Sequence, residues 1–86
     1  MDSIEKGKLK VLIKMILIQK YPYELTARQL SDIINSYDFG FRTSINSRTI
    51  GNLINSELKK HDKHFMENIT SRNEKNIRVY SITTLG

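Results

Sequence analysis

The chain has 86 residues, which is enough for one compact domain over residues 1–86 but not for two. It contains no cysteine, so disulfides and thiolate metal sites are excluded. Its 14 lysines and arginines against 9 acids give a formal charge of +5. Nucleic acid is the commonest partner of so small and basic a domain, although a merely soluble basic protein has the same charge.

The sequence shows neither a membrane-spanning segment nor a secretory signal. The apolar run from Val11 to Ile18 contains Lys14 and is far shorter than the ~20 residues that cross a bilayer. A membrane-surface helix is an alternative for this lysine-rich region, but the apolar sector is too wide for a half-immersed helix. We therefore expect an intracellular, cytoplasmic protein without a membrane partner.

The first predicted helix runs from about Ser3 to Lys20 and stops before Pro22. A helix that is apolar nearly all round is buried on more than one side, and one small domain covers only one side. We therefore predict a homodimer, the alternative being coverage by the chain's own C-terminal strands. The predicted core face is Leu9, Leu12, Ile13, Ile16 and Leu17. The predicted dimer interface is Ile4, Val11, Met15 and Ile18.

The second predicted helix begins after Thr26, which can form a capping box with Gln29. Gly40 supplies the permissive backbone that a helix end needs, so we expect the helix to stop there. Residues 39–46 then form a long loop, in which Arg42 is free to reach a phosphate group. The side chains expected to face the core are Leu30, Ile33, Ile34 and Tyr37.

The third predicted helix follows Asn46 and Ser47, both of which are good capping residues, and extends to Lys60. Its core stripe is Ile50, Leu53, Ile54 and Leu58. The opposite face contains no acid, and Glu57 lies at its margin. That face consists of Arg48, Thr49, Asn52, Asn55, Ser56, Lys59 and Lys60.

The side chains on this polar face are of the types that bind the edges of DNA bases. Arginine pairs with guanine, asparagine with adenine, and threonine offers a hydroxyl and a methyl group. Residues near the start of such a helix enter the major groove deepest. The predicted base contacts are Arg48, Thr49, Asn52 and Asn55, and the predicted backbone contacts are Arg42, Ser47, Ser56, Lys59 and Lys60. The alternative is that any exposed helix face is polar.

Beyond residue 63 the apolar side chains alternate, which predicts strands over residues 65–70 and 77–82. Residues 71–76 between them predict a polar hairpin tip, and a short strand is expected at residues 24–26. Arg72, Lys75 and Arg78 on this hairpin are predicted to contact DNA backbone or minor groove. The alternative is a charged strand edge that discourages aggregation.

The sequence carries no constellation that indicates catalysis. A glycine-rich phosphate loop, a cysteine nucleophile and a placeable carboxylate pair are all absent. His61, Asp62, His64 and Glu67 crowd a short segment, but they diverge where a helix gives way to a strand. We therefore expect no enzyme activity, metal site, cofactor or small-molecule substrate.

Three segments, in this order, resemble the winged helix-turn-helix family of DNA-binding transcription regulators. Residues 25–34 resemble the second helix of that family, 47–54 its recognition helix, and 78–83 the return strand of its wing. The resemblance covers roughly residues 4–83. It implies an α+β winged helix, in which a three-helix core is followed by a β-hairpin wing. The chain differs in its long 39–46 loop and in having no helix after the wing, as in minimal archaeal, plasmid or viral members.

The resemblance implies a function as well as a fold. In that family the third helix enters the major groove, the wing contacts flanking DNA, and many members dimerise through terminal helices. We therefore expect a homodimeric, sequence-specific double-stranded DNA-binding protein that regulates transcription. The alternatives are a winged-helix adaptor between proteins and a non-specific architectural DNA binder, which would show salt dependence without a preferred site.

Overall fold

The fold is known from a computed structural model, which describes residues 2–61 and 69–82. These residues form helices and a three-stranded antiparallel sheet, which confirms the predicted α+β class. The first elements are α1 (Ser3–Gln19), β1 (Leu25–Thr26) and α2 (Ala27–Ser36). The third helix, residues 47–61, is built from Ser47–Leu53, a π-helical turn at Ile54–Leu58, and Lys59–His61. The hairpin is β2 (Ile69–Glu74) and β3 (Ile77–Ile82).

Helix α1 buries one of its two apolar faces. The side chain of Asp2 caps its start by accepting a hydrogen bond of 2.8 Å from the Glu5 N–H. The buried side chains are Leu9, Ile13, Ile16 and Leu17, as predicted, while Leu12 is half-buried. We call the opposite face the outer stripe; it consists of Ile4, Val11, Met15 and Ile18, which are 80%, 51%, 53% and 42% exposed.

Helix α2 begins as predicted and ends earlier than predicted. The capping box is present, since the Gln29 N–H donates to Thr26 Oγ1 at 3.1 Å and the Thr26 N–H donates to Gln29 Oε1 at 2.8 Å. The helix stops at Ser36, whose hydroxyl donates to the Ile33 carbonyl at 2.7 Å. Tyr37 is therefore extended and 66% exposed, so its predicted core role is wrong. Gly40, with φ +83°, lies in the following loop instead of ending the helix.

The long loop after α2 is fixed at its far end by one side chain. The Asn35 amide donates to the Ile45 carbonyl at 2.8 Å and accepts from the Ile45 N–H at 2.9 Å. The Ile45 side chain is only 3% exposed and belongs to the core. Asn35 thus holds α2 and the start of the third helix in a fixed relation, which the sequence analysis did not foresee.

Helix α1 holds the middle of the same loop. The Lys8 ammonium donates to the Phe39 carbonyl and lies 5.2 Å from the centre of the Phe41 ring. The Arg42 N–H donates to a Glu5 carboxylate oxygen at 3.0 Å. The extra length of the loop is therefore used to reach α1.

The third helix begins where its cap predicts and contains an irregularity that was not predicted. The Asn46 side chain caps it by accepting from the Thr49 N–H at 2.8 Å. The predicted core stripe is confirmed, because Ile50, Leu53, Ile54 and Leu58 are all buried. The π-helical turn at Ile54–Leu58 has more residues per turn than an α-helix, so it rotates the residues that follow it.

The sheet has the order β1–β3–β2, with β3 in the middle. The hairpin turn is tighter than predicted, since Glu74 pairs with Ile77 and only Lys75 and Asn76 lie between them. Both have positive φ, 52° and 67°, as a two-residue turn between twisted strands requires. Arg72 is therefore a strand residue rather than part of a long tip. Residues 65–68 of the first predicted strand lie outside the described residues.

The helices and the central strand share one hydrophobic core. Tyr80 and Ile82 of β3 pack in the same cluster as the buried faces of α1, α2 and the third helix. In the described part of the chain, no helix has the length and apolar character that a bilayer crossing requires.

Asn35→Ala tests the two hydrogen bonds between Asn35 and the backbone of Ile45, which we call the loop clamp. The substitution leaves the N–H and carbonyl of Ile45 without their partner, and we expect a loss of about 1–3 kcal/mol in the free energy of unfolding. Urea denaturation followed by circular dichroism measures it. Thr43→Ala is the control, because Thr43 is exposed in the same loop and a surface change of this kind has an effect within about 0.5 kcal/mol. Equal losses in the two variants would refute the clamp.

Candidate nucleic-acid interface

The polar face of the third helix projects three side chains directly away from the core. Arg48, Asn52 and Asn55 are exposed, and within residues 2–61 and 69–82 their side chains make no hydrogen bond or ion pair. We call these three residues the outer ridge. Because the buried stripe fixes the rotation of the helix, the ridge presents free guanidinium and amide groups to the surroundings.

Two other predicted residues of this face are turned toward α1. Thr49 is half-buried and its hydroxyl donates to Asn46 Oδ1 at 3.0 Å. The Ser56 hydroxyl donates to the Asn52 carbonyl at 2.6 Å. Both residues line a shallow groove of about 230 Å³ beside Lys6. Their hydroxyl protons are therefore already used within the protein.

Glu57, at the margin of this groove, is offset by lysines of α1. Its carboxylate lies 3.2 Å from the Lys10 ammonium and 3.6 Å from that of Lys6. The hydrogen bond and charge of Lys10, with a smaller contribution from Lys6, lower the pKa of Glu57 below its usual value. The α1 side of the ridge is thus electrostatically mixed.

On the opposite side of the ridge, the charged side chains that the structure describes are all cations. A concavity of about 280 Å³ lies between the first turn of α2, the start of the third helix and β3. It is lined by one arginine from each element, Arg28, Arg48 and Arg78, together with Ser47, and we call it the arginine concavity. None of the described residues that line it is acidic.

Arg28 is a residue of this site that was not predicted, because the sequence analysis assigned no functional side chain to α2. One signal was present in the sequence. Arg28 is the second residue of α2, where the positive end of the helix dipole disfavours a cation, and the first turn contains no acid to offset it. A basic residue in that position has a local electrostatic cost.

The hairpin residues divide into two groups. Lys75 is exposed at the turn, and Arg78 reaches the arginine concavity. Arg72 is paired instead, since its Nε and Nη2 each donate to a different Glu24 carboxylate oxygen at 2.5 Å. The hydrogen bond from Arg72 lowers the pKa of Glu24 below its usual value. Arg72 therefore joins β2 to the segment before β1.

The remaining predicted backbone contacts lie apart from the concavity. The Lys59 ammonium donates to the Ser71 hydroxyl at 3.3 Å, which joins the third helix to β2. Arg42 lines a polar groove with Asp2 and Glu5, and these acids make a phosphate contact there unfavourable. Lys60 is exposed near the end of the helix.

The segment that contains both histidines lies largely outside the described residues. Asp62, His64 and Glu67 lie outside the described residues, and of His61 only the backbone is described. Among the described residues there is no group of three potential metal ligands.

Comparison with known proteins finds no family model, no curated protein and no solved structure that matches this chain. Only the geometry of the site therefore indicates a function. That geometry joins an exposed ridge of hydrogen-bonding side chains to a concavity of uniform positive charge.

The Glu24–Arg72 pair predicts a pH dependence of stability. Because the pKa of Glu24 in the folded protein lies below its ordinary value of 4.5, the pair stabilises the fold above that pH. Its contribution is lost as the pH falls through the lowered folded pKa. We expect Glu24→Gln to flatten the decline in unfolding free energy between about pH 6 and pH 3.

Asp32→Asn is the control for this measurement, since Asp32 is exposed and has no ion pair within the described residues. Chemical denaturation at several pH values gives both profiles. If Glu24→Gln and Asp32→Asn change the profile equally, the pair makes no specific contribution.

Proposed function

We propose that this protein binds double-stranded DNA in a sequence-specific manner and regulates transcription as a winged-helix protein. The order of three helices and a β-hairpin, with β1 added to the sheet, is compatible with that fold. The third helix takes the place of the recognition helix and the β2–β3 hairpin that of the wing. The observation that carries the proposal is the outer ridge standing beside the arginine concavity.

The outer ridge fits the chemistry of the major groove. Asn52 and Asn55 are three residues apart and therefore lie on the same side of a helix. Their amides have no partners within the described chain. An asparagine amide can form two hydrogen bonds with adenine, in which its NH₂ group donates to N7 and its oxygen accepts from the N6 amino group. A helix fits the major groove, which is about 12 Å wide. Asn52 and Asn55 are accordingly the base-contacting residues of the proposal.

The hairpin supports the same orientation of the protein on DNA. Arg78 lies in the concavity beside the third helix, and Lys75 stands at the exposed turn. A cation at the tip can contact the phosphates that flank the groove, which orients the protein without reading sequence. The α1 side carries the acids Asp2, Glu5 and Glu57, so the DNA backbone runs along the side of α2 and β3.

Selection from a random duplex pool tests this function. We expect an enriched site that binds more tightly than a scrambled duplex, with log affinity falling by about 0.9 per log unit of salt for each phosphate contacted. Equal affinity for both duplexes would indicate an architectural DNA binder. Absence of binding to any duplex would contradict the proposal and favour the protein adaptor.

Asn52→Ala tests the base contacts. Loss of a bidentate amide–base pair should weaken binding to the enriched site by about 1–3 kcal/mol and leave binding to scrambled DNA nearly unchanged. Fluorescence anisotropy with both duplexes measures the difference. Gln19→Ala is the control, because it removes an exposed amide from the end of α1. Equal losses on the two duplexes would show that Asn52 does not read a base.

We also propose that the protein is a homodimer through the outer stripe of α1. Ile4, Val11 and Ile18 are seven residues apart and hold one heptad position, as in a helix–helix seam. In a two-fold antiparallel pair centred on Val11, Ile4 lies beside Ile18 of the partner subunit, so the stripe is complementary to itself. Such a dimer would present two third helices to a palindromic site, at a spacing of about 34 Å for one DNA turn.

Gly7 supplies the specific evidence for this pairing. A Cβ at Gly7 would meet nothing within 4 Å, so no contact in the described chain requires glycine there. Glycine inside a helix costs about 0.5–1 kcal/mol relative to alanine. In the antiparallel register the gap at Gly7, between Ile4 and Val11, receives Met15 of the partner subunit.

Gly7→Ala should therefore change folding and association in opposite directions. We expect the helix to gain up to about 1 kcal/mol from the better propensity of alanine, while the dimer dissociates more readily. Sedimentation equilibrium gives the dissociation constant, and thermal melts over a range of concentrations give the stability of the monomer. Weak dimers form at concentrations on the order of 100 micromolar, so a wild-type protein that is still monomeric there would contradict the dimer. Unchanged association in Gly7→Ala would contradict the close approach.

A further inference from the structure

We propose that the arginine concavity binds a single phosphate group of the DNA backbone, held by Arg28, Arg48 and Arg78 together. The proposal rests on the DNA-binding function and makes it more specific. It moves Arg48 from the predicted base contact to a backbone contact, and it gives α2 a direct role in binding.

The first support is the convergence of three cations from three separate elements. Arg28 comes from the first turn of α2, Arg48 from the first turn of the third helix and Arg78 from β3, and all three line one concavity of about 280 Å³. A concavity of that size holds a phosphate group and some water. Arginine is suited to it, because its planar fork donates two parallel hydrogen bonds to phosphate oxygens.

The second support is that the free protein leaves this charge unbalanced. Among the described residues, none that lines the concavity is acidic and none of the three arginines has an ion-pair partner. Arg72 and Lys10, by contrast, are paired with Glu24 and Glu57. The three arginines of the concavity are thus a cluster of like charges that an external anion can balance.

The third support is the position of Arg28 within α2. The ten-residue helix directs its positive end toward the residue, and a cation there is disfavoured until an anion arrives. Ser47, which lines the same concavity, adds a hydroxyl donor. A phosphate group relieves the mutual repulsion of the arginines and the unfavourable contact with the dipole at the same time.

The concavity also lies in the right place for the DNA backbone. Arg48 belongs to both the concavity and the outer ridge, so a phosphate bound there borders the groove that Asn52 and Asn55 enter. A phosphate contact fixes the register of a protein on its duplex. A phosphate group held in the arginine concavity would therefore position Asn52 and Asn55 over their bases.

The test compares Arg28→Gln, Arg48→Gln and Arg78→Gln, singly and combined, on the enriched and the scrambled duplex. Each single change should weaken binding to both duplexes equally, by about tenfold for one charge-assisted contact. The triple variant should lower the salt slope by about 0.9, the value for one phosphate, rather than by three times that amount. Lys20→Gln, an exposed cation outside the concavity and the ridge, is the control for net charge.

Duplexes with single phosphates replaced by neutral methylphosphonates locate the contact. We expect one position in each half-site at which the replacement removes the difference between wild type and Arg28→Gln. Thermal melts show whether the variants fold, and Arg28→Gln should melt at or above the wild-type temperature because it relieves repulsion.

Several outcomes would overturn the binding of one phosphate group in the arginine concavity while leaving the DNA-binding function intact. These are unchanged binding by Arg28→Gln, a change of base preference in Arg48→Gln, and salt-slope losses that add up to three separate phosphates. Failure of the wild-type protein to bind any duplex would instead overturn the DNA-binding function, and the proposed phosphate contact with it.

Discussion

The burial of one aliphatic stripe on the third helix is the constraint on which the rest of the structure depends. Ile50, Leu53, Ile54 and Leu58 fill the core, and their rotation about the helix axis decides which polar side chains face outward. The same burial places Arg48 at the boundary with α2 and β3 and turns Thr49 toward α1. The packing of the core thus sets the orientation of the third helix about its axis, and with it the surface on which the proposed function depends.

A second level of organisation is the distribution of charge around that helix. On the α1 side, acids are present and are matched by lysines, as in the Glu57 pairs. On the α2 and β3 side, three arginines meet without an acid among the lining residues described. The two sides of the third helix therefore differ in charge. The net charge of +5 does not show this difference, because it is the same for any arrangement of the charges.

The sequence was sufficient to predict the parts of the fold that depend on local periodicity and capping. The bounds of α1, the capping box of Thr26 and the buried stripe of the third helix all follow from spacing and residue type. The loop clamp by Asn35 could not be foreseen, because its partner lies ten residues away in a segment without periodicity. The two-residue turn was hidden because neither Lys75 nor Asn76 is glycine. Arg28 was missed since its importance comes from neighbours in space.

Amide chemical-shift mapping of the labelled protein, titrated with a duplex enriched from the random pool, is the decisive measurement, because a bound duplex would shift the amides of the surface that it contacts. We expect the largest changes at the outer ridge, at Arg28 in the first turn of α2, and along residues 75–78 of the hairpin. The outer stripe of α1 and the Lys6–Glu57 side should change little. Changes centred on α1, with the third helix unaffected, would contradict DNA binding through the outer ridge and the arginine concavity.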